Sequence, residues 1–368
     1  MIEIFIFLAS LGWVALVLAP WRPWGTGERL EPAADSAEEE FDDITVLIPA
    51  RNEAAVIERT LRALHSQGSG FSTLLIDDQS SDGTARLARC SLVPGITVVD
   101  GIPLPPGWTG KLWALEQGWR KVETKLVLLL DADVELRPGM LAALRRKIGG
   151  LDLVSVMAQL RMQTFWERML VPAFVYFFKL IYPFRLGNDP RTRLGVAAGG
   201  CMLIRSAALK KIGGFEPLRT AIIDDCSLAK KIKEAGGRTW TGLSHSVRSH
   251  RAYERLSDFW EMVARTAFTQ LRYSLWLLLA TTMLMVLSFW IPLIGLCAWP
   301  AAARVVALLG LLAMIISYLP ILRYYRRSML WALALPITSS FYLLMTWSSA
   351  FRFWRGQRSL WKDRVYSV

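Results

Sequence analysis

The sequence predicts an α/β domain with a mostly parallel sheet, preceded by one transmembrane helix and followed by about three. Short apolar runs alternate with helical patterns at the spacing of β-α-β units between residues 44 and 273. This alternation is typical of a sheet covered by helices on both faces. Long uncharged segments flank the region, and each approaches or exceeds the roughly 20 residues that a helix needs to cross a bilayer. These segments are Ile4–Trp21, Ser274–Ala303, Val305–Leu322 and Ser328–Phe351.

The composition is typical of a membrane protein. The 368 residues are 53% hydrophobic and their mean hydropathy is +0.32, which is high for a soluble globular chain. The net charge is +12, and many basic residues stand beside the apolar segments, where they suit anionic lipid headgroups better than nucleic acid. The four cysteines have no paired spacing, so we expect reduced thiols.

The first apolar segment is interpreted as a retained anchor. It has no basic region before it, since only Glu3 is charged there, and it lacks a small-residue cleavage site. Arg22 follows it beside Trp21 and Trp24, which predicts that the next domain is cytoplasmic. Residues 23–43 form a segment rich in acidic side chains, which predicts a flexible linker.

The strands and helices of the domain follow in order, each recognised from its hydrophobic period. Strands are predicted at Ile44–Ile48, Thr73–Ile76, Ile96–Val99, Leu126–Leu130 and Leu153–Met157, then at Gly199–Arg205 and around Arg238–Thr241. Helices are predicted at Glu53–Gln67 with Asn52 as its N-cap, from the Ser80–Gly83 turn to Cys90, at Leu112–Val122 and Pro138–Ile148, from Ile223 to about Glu234, and at Ser257–Arg272.

The fourth strand, Leu126–Leu130, ends at Asp131-Ala132-Asp133. Its unbroken apolar run predicts a strand buried on both faces, and alternation along an extended chain points Asp131 and Asp133 to the same side. Two carboxylates this close repel unless a cation lies between them. Carboxylate oxygens that leave coordination positions free for phosphate oxygens suit Mg²⁺ or Mn²⁺. A surface turn with incidental acidic residues is the simpler interpretation of the motif alone.

Polar motifs stand at other strand ends as well. Residues 49–53 follow the first strand, residues 77–84 follow the second, and Lys111 precedes the fourth. Carboxylates here could accept hydrogen bonds from a nucleobase or ribose, and Lys111 could bind a diphosphate. Each motif alone fits an ordinary turn, but four in order predict a ligand site at one sheet edge. Its candidate residues are Pro49, Arg51, Glu53, Asp77, Asp78, Lys111 and Asp131.

Further candidates lie in the second half of the domain. Asp224 and Asp225 open a helix, and Asp225 is the candidate general base, with helix capping as the alternative role for either carboxylate. His250 is a candidate contact to metal or diphosphate, although a lone histidine is more often structural. Arg272 could face phosphates or lipid headgroups. Residues 165–184 predict an interfacial helix that presents a lipid acceptor, with a simple buried helix as the alternative.

Together these motifs resemble the family 2 glycosyltransferases with a GT-A fold, which is Rossmann-like. The resemblance covers about residues 44–273 and rests on residues 46–53, 77–84, 110–111, 131–133, 199–200 and 224–225. It implies that Asp77 or Asp78 binds the nucleotide and that Asp131 and Asp133 hold the metal and diphosphate. It also implies that Asp225 is the base of an inverting sugar transfer from a UDP-sugar.

The plan of one anchor before the domain and a helical bundle after it is similar to ceramide glucosyltransferases. It is closer to the hopene-associated glycosyltransferases of bacterial hopanoid gene clusters. This similarity implies a lipid acceptor, with a hopanoid as one candidate, and a bacterial inner membrane. The run 269–273 departs from the Gln-x-x-Arg-Trp of processive members: Arg272 matches, but Thr269 replaces Gln and Tyr273 replaces Trp. The departure favours the transfer of one sugar.

Other functions and one question of topology stay open. A polyprenyl-phosphate sugar synthase would carry the same motifs, and a sugar-nucleotide sensor would bind without turnover. A transporter is disfavoured because the C-terminal apolar segments carry no internal charge. Four simple crossings would place the basic tail outside, against the positive-inside tendency, so either residues 329–350 do not cross fully or another segment is re-entrant. The predicted domain bounds are 1–22, 23–43, 44–273, 274–351 and 352–368.

Overall fold

The computed structural model describes residues 2–33, 40–91, 93–298, 300–356, 360–361 and 364–365. The chain divides into two compact units. The α/β unit comprises residues 28–161, 186–252 and 358–368, and the helical unit comprises residues 1–27, 162–185 and 253–357. Parts of the predicted linker and of the predicted basic tail lie outside the described residues, and the predicted domain bounds stay predictions.

The strands and α-helices are numbered in chain order. The strands are β1 (Ile44–Ala50), β2 (Ser72–Asp77), β3 (Ile96–Asp100), β4 (Leu126–Leu130), β5 (Val134–Leu136), β6 (Leu153–Gln159), β7 (Cys201–Arg205), β8 (Thr239–Ser249), β9 (Leu360–Trp361) and β10 (Arg364–Val365). The α-helices are α1 (Ile2–Leu18), α2 (Ile57–His65), α3 (Thr84–Cys90), α4 (Gly110–Trp119), α5 (Met140–Lys147), α6 (Phe165–Ile181), α7 (Phe184–Gly187), α8 (Ser206–Lys211), α9 (Asp224–Glu234), α10 (Leu256–Ala264), α11 (Ala267–Gln270), α12 (Leu275–Ile294), α13 (Ala301–Tyr324) and α14 (Leu335–Trp354). Short 3₁₀ helices are Glu216–Leu218, Gly295–Cys297 and Met329–Ala334.

The α/β unit is built on an eight-stranded mixed sheet in the order β3-β2-β1-β4-β7-β6-β8-β5. The strands from β3 to β4 are all parallel, and β6 is parallel to β8. Strand β7 runs antiparallel to both of its neighbours, and β5 runs antiparallel to β8. The predicted mostly parallel α/β fold is therefore confirmed.

The sheet buries both of its faces, as the apolar run of β4 predicts. Every residue of β4 is buried. Leu128 packs into the hydrophobic cluster on one face, and its neighbour Leu129 packs into the cluster on the other. A parallel strand covered by helices on both sides has this burial pattern, because successive side chains point to opposite faces.

The helical unit contains three segments that are long and apolar enough to cross a membrane: Leu275–Cys297, Ala301–Tyr324 and Met329–Trp354. Helix α1 is also apolar but shorter, at 17 residues. It packs closely on α13, where a Cβ on Gly310 would lie 2.4 Å from Ser10 Oγ. Small residues allow such close packing between apolar helices. The predicted arrangement of one N-terminal and about three C-terminal apolar helices is confirmed, and the chain is membrane-associated.

Two predicted helix starts were wrong. Helix α2 begins at Ile57 and its N-cap is Val56. Asn52 instead has a φ of +51°, outside the helical region, and the next two N–H groups donate to Thr84 Oγ1 and Asp82 Oδ2. Helix α5 begins at Met140, after a left-handed Gly139, and not at Pro138.

Two further predicted elements had the wrong length. The predicted helix Ser257–Arg272 is two helices, because Thr266 leaves the helical conformation with a φ of −121°. Strand β8 extends to Ser249, well beyond the predicted Thr241. Its serines and Gly242 have low strand propensity, but pairing with β6 and β5 overrides that preference.

Candidate active site

The loops that follow β1, β2 and β4 lie at one edge of the sheet. These three strands are adjacent and parallel, so their carboxyl ends point the same way. In open α/β sheets this edge is the usual place for a ligand. The convergence of these loops was predicted from sequence. The prediction that individual residues bind a ligand stays a prediction.

The loops after β1 and β2 are joined by hydrogen bonds. Arg51 Nη1 donates to the backbone oxygen of Asp78 at 2.5 Å, and the backbone N–H of Ser81 donates to Asn52 Oδ1 at 2.9 Å. Asn52 and Gln79 both have positive φ, at +51° and +56°. A positive φ is unfavourable for residues other than glycine. The two loops therefore hold each other in an irregular conformation, with Arg51 as a link between them.

Asp77 and Asp78 are both buried at this edge. Asp77 Oδ2 accepts a hydrogen bond from the backbone N–H of Ser80 at 3.1 Å. Asp77 Oδ1 is buried and has no hydrogen-bond partner within the part of the chain that the structure describes. Buried polar atoms are nearly always paired, so this oxygen is available to a donor on a ligand. Pro49 lies one position before the end of β1, opposite Ile76.

A lysine brings together acidic residues that are distant in sequence. Lys111 Nζ, at the start of α4, lies 2.7 Å from Asp131 Oδ1 and 3.7 Å from Asp224 Oδ2. Asp225 lies in the first turn of α9 and accepts a hydrogen bond from the N–H of Cys226. A Cβ added to Gly199 would lie 3.4 Å from Lys111 Nζ and 3.5 Å from Asp225 Oδ2, so this glycine leaves the space between them open.

Burial and neighbouring charges set the protonation of this cluster. Burial, reinforced by the charge of Asp224, raises the pKa of Asp225 to about 7, although the N–H groups of Cys226 and Gly199 and the charge of Lys111 oppose the rise. Burial alone would lower the pKa of Lys111, but the carboxylates of Asp131 and Asp224 outweigh it and raise this pKa. Lys111 is therefore charged at neutral pH, while Asp225 exchanges its proton near neutrality, as a general base should.

Asp133 belongs to a second network, which sequence reasoning missed. Asp133 Oδ2 accepts from Ser249 Oγ at 2.8 Å and from Arg251 Nε at 3.3 Å. Arg251 Nη2 also donates to Glu53 Oε1 at 2.9 Å. The arginine thus joins the loop after β1 to the loop after β4. Pairing of β5 with β8 brings these residues together, and a strand as short as Val134–Leu136 leaves no hydrophobic pattern to find.

His250 contacts a glutamate in the structure. Its Nε2 lies 2.6 Å from Glu135 Oε2, and Arg59 Nε donates to the same oxygen at 2.9 Å. Burial would raise the pKa of Glu135, but the hydrogen bonds from His250 and Arg59 outweigh it and lower that pKa. The predicted role of His250 as a metal ligand stays a prediction, and it would use the other ring nitrogen, Nδ1, while Nε2 keeps its contact with Glu135.

The predicted role of Asp131 and Asp133 as ligands of a divalent ion stays a prediction, and carboxylate oxygens are the ligand type that Mg²⁺ and Mn²⁺ prefer. Burial raises the pKa of Asp131 and the charge of Asp133 adds to the rise, although Lys111 opposes it, so a cation beside both would be stabilising. Among the described residues, no group of three or more His, Cys, Asp or Glu side chains could hold a metal. Mg²⁺ is commonly bound by one or two carboxylates together with substrate phosphates and water.

Arg272 belongs to the helical unit, between α11 and α12. Arg272 and Tyr273 have φ values of +51° and +56°, and the ring of Tyr273 stacks on Phe353 with a centroid distance of 4.4 Å. The predicted contact of Arg272 with phosphate stays a prediction.

Comparisons with known proteins give one matching family model, curated relatives of part of the chain and solved structures of similar fold. Residues 45–213 match the family model described as glycosyl transferase family 2. Over 92 residues the chain is 38% identical to 4,4'-diaponeurosporenoate glycosyltransferase of Staphylococcus aureus, a match that covers 25% of this chain and 24% of that relative. The match thus spans about a quarter of the relative's length.

A solved structure is similar along nearly the whole chain. It is a mannosyltransferase from Pyrobaculum calidifontis in complex with GDP-Man and Mn²⁺, with a TM-score of 0.55 and 18% sequence identity. The similarity covers 96% of this chain and 99% of that one. At this identity the likeness is one of fold, and it confirms the predicted GT-A arrangement.

Proposed function

We propose that this chain, whose residues 45–213 match the family model of glycosyl transferase family 2, moves one sugar from a UDP-linked nucleotide sugar to a lipid of the membrane. The observation that carries the proposal is the cluster at the sheet edge, in which Asp225, with a pKa raised to about 7, lies beside Lys111 and Asp224. Acid–base chemistry on a phosphorylated donor needs a base titrating near neutrality and a fixed positive charge, and this cluster supplies both.

The proposed reaction is an inverting displacement at the anomeric carbon. The nucleoside binds at Asp77 and Asp78, and Lys111 turns from its carboxylate partners to the diphosphate. Asp225 accepts the proton of the acceptor hydroxyl as that oxygen attacks the anomeric carbon and the nucleoside diphosphate leaves. A positioned base contributes about 10²–10⁴-fold to such a step. No covalent bond to the protein is needed.

Asp131 and Asp133 would hold Mg²⁺ or Mn²⁺ next to the diphosphate. When bound, such an ion neutralises charge that develops on the leaving group. Arg251 supports the site by keeping Asp133 and Glu53 in place. His250 would serve as a further ligand through Nδ1, with Glu135 holding its other ring nitrogen.

The acceptor is proposed to be a membrane lipid because the same chain carries three segments able to cross a membrane. The relative from Staphylococcus aureus is named for a carotenoid acid acceptor, which also favours an apolar acceptor. A hopanoid is the first candidate, and a polyprenyl phosphate is the alternative. We place the α/β unit on the cytoplasmic side of a bacterial inner membrane, where nucleotide sugars are found.

The function is tested with the purified full-length chain, Mg²⁺ or Mn²⁺, a panel of UDP- and GDP-sugars, and fractions of a bacterial lipid extract. We expect one lipid fraction to gain a single sugar, identified by mass spectrometry. Two sugars per lipid or a growing chain would contradict single transfer. Nucleotide binding with no product from any fraction would favour a sensor, and a product confined to polyprenyl phosphate would favour the synthase.

A further inference from the structure

The helical unit contains a groove between α10 and the last turns of α14. Its cavity volume is about 380 Å³. The lining consists of Trp260 on α10 and of side chains from Leu344 to Arg355 on and just after α14. The groove therefore lies at the C-terminal end of a segment that is able to cross a membrane.

The walls of the groove are apolar and aromatic. Leu344, Trp347 and Phe351 follow one another at helical spacing, so they form one stripe along α14. Leu344 is 54% exposed and Phe351 is 51% exposed, although both are large and apolar. The indole of Trp347 is fixed by a hydrogen bond of 2.9 Å from its Nε1 to Thr282 Oγ1. The stripe is thus a preformed surface that suits a hydrocarbon chain.

The polar end of the groove carries one uncompensated positive charge. Arg352 is neutralised by Glu261, since its two terminal nitrogens lie 2.5 and 2.6 Å from the two carboxylate oxygens. Arg355 is exposed, and its guanidinium makes no hydrogen bond or ion pair with any residue that the structure describes. Ser348 also lines the groove. An arginine beside aromatic rings at the end of a membrane span is well suited to an anionic headgroup.

We infer that this groove binds one anionic phospholipid of the surrounding bilayer, with its phosphate on Arg355 and one acyl chain along Leu344, Trp347 and Trp260. The bound lipid is not the acceptor, and the inference holds whether or not the chain transfers a sugar. Charge selects the lipid class, because a zwitterionic headgroup places a cation next to the same arginine.

The test uses the full-length chain in mild detergent with equal amounts of phosphatidylglycerol and phosphatidylcholine, followed by native mass spectrometry. We expect one phosphatidylglycerol to be retained in preference to phosphatidylcholine. Arg355→Gln should reduce that retention about tenfold, because the charge-assisted hydrogen bonds from the guanidinium to the phosphate are lost. Leu344→Trp, which fills the groove, should expel lipids of both kinds.

Arg323→Gln is the matched control, because Arg323 is an exposed arginine in the last turn of α13, the preceding membrane-spanning segment. It should retain phosphatidylglycerol as the unchanged chain does. Equal loss in both arginine variants would show a general surface attraction and overturn the inference. Unchanged retention in Arg355→Gln or in Leu344→Trp would also overturn it. Thermal unfolding of each variant verifies that it is folded.

Discussion

At the scale of single residues, the proposed reaction gives Asp225 the central chemical role. Asp225→Asn keeps the shape of the side chain but removes the proton acceptor, so we expect transfer to fall by about 10²–10⁴-fold. Binding of the nucleotide should survive, because the proposed nucleotide contacts lie on other loops. Initial rates of product formation and a UDP titration measure the two effects separately.

Glu234→Gln is the control for Asp225→Asn. Glu234 is the last residue of the same helix, its side chain is 43% exposed, and it pairs only loosely with Lys230 at 3.8 Å. This variant should transfer sugar at the rate of the unchanged chain. Full activity in Asp225→Asn would assign the base to another residue.

The raised pKa of Asp225 predicts how activity depends on pH. A base works only when deprotonated, so kcat/KM should rise with pH, reach half of its plateau near the pKa of about 7, and level off above it. Measurements from pH 5.5 to 8.5 locate the midpoint. A flat profile over this range would contradict the assignment.

The raised pKa of Asp225 also makes folding stability depend on pH, and this contribution falls as the pH rises. The folded chain holds the Asp225 proton more tightly than an unfolded chain, in which the pKa is near 3.8. The stability that this proton contributes is fully present below pH 3.8 and is lost as the pH rises through about 7. Thermal unfolding of Asp225→Asn should lack this component.

Asp131 is expected to act through the metal. Asp131→Asn should weaken Mn²⁺-dependent binding of UDP by about tenfold or more, equivalent to roughly 1.4 kcal/mol, because a neutral amide is a poorer ligand for a hard cation. UDP titrations with and without Mn²⁺ measure the loss. Glu58→Gln on α2, which changes a half-exposed carboxylate, should leave both titrations unchanged. The same Mn²⁺ dependence in both variants would exclude Asp131 as a ligand.

Single residues also show where sequence reasoning succeeds. Asp131 and Asp133 could be identified because an abrupt change from apolar to acidic residues marks the end of a buried strand. Arg251 could not be identified from sequence, because its contacts are with Glu53 and Asp133, which stand 198 and 118 positions away. No local pattern records contacts over such separations.

At the scale of elements, the segment before β7 fixes the position of α9. A Cβ on Gly195 would lie 2.3 Å from the backbone nitrogen of Lys230, which no side-chain adjustment can relieve. Gly195→Ala should therefore push α9 away, destabilise the α/β unit by at least about 1–3 kcal/mol and displace Asp225 from Lys111. A lower unfolding temperature and a lower transfer rate are the expected results.

Gly149→Ala is the matched control for Gly195→Ala. A Cβ at Gly149 would lie 3.6 Å from its nearest neighbour, the backbone oxygen of Arg146, which is an ordinary contact. This variant should unfold at the same temperature as the unchanged chain. Equal stability of the two alanine variants would mean that α9 is not positioned by this contact.

The elements that sequence could predict are those with a strong hydrophobic period. Strand β4 was predicted with both of its ends correct, because a two-sided apolar run has few alternative structures. Strand β5 was missed because three residues carry no period. The direction of β7 against β4 was also beyond prediction, since burial on both faces looks the same in parallel and antiparallel strands.

At the scale of the whole molecule, the orientation in the membrane can be tested with its own cysteines. Cys90 and Cys297 are exposed, while Cys201 and Cys226 are buried. In a Cys297→Ser variant, Cys90 of the α/β unit is the accessible thiol among the described cysteines. If the α/β unit is cytoplasmic, a membrane-impermeant maleimide should label Cys90 only after cells are permeabilised. Labelling of intact spheroplasts would place the unit outside.

The positive charge of Lys111 stabilises its acidic pocket even before any substrate binds. Its ammonium group, held between Asp131 and Asp224, serves as a built-in counterion for an acidic pocket. Its charge offsets part of the negative charge that folding brings together in this pocket. In the proposed reaction an incoming donor would exchange these partners: its phosphates would bind Lys111, and the carboxylates would bind the divalent ion that accompanies the donor.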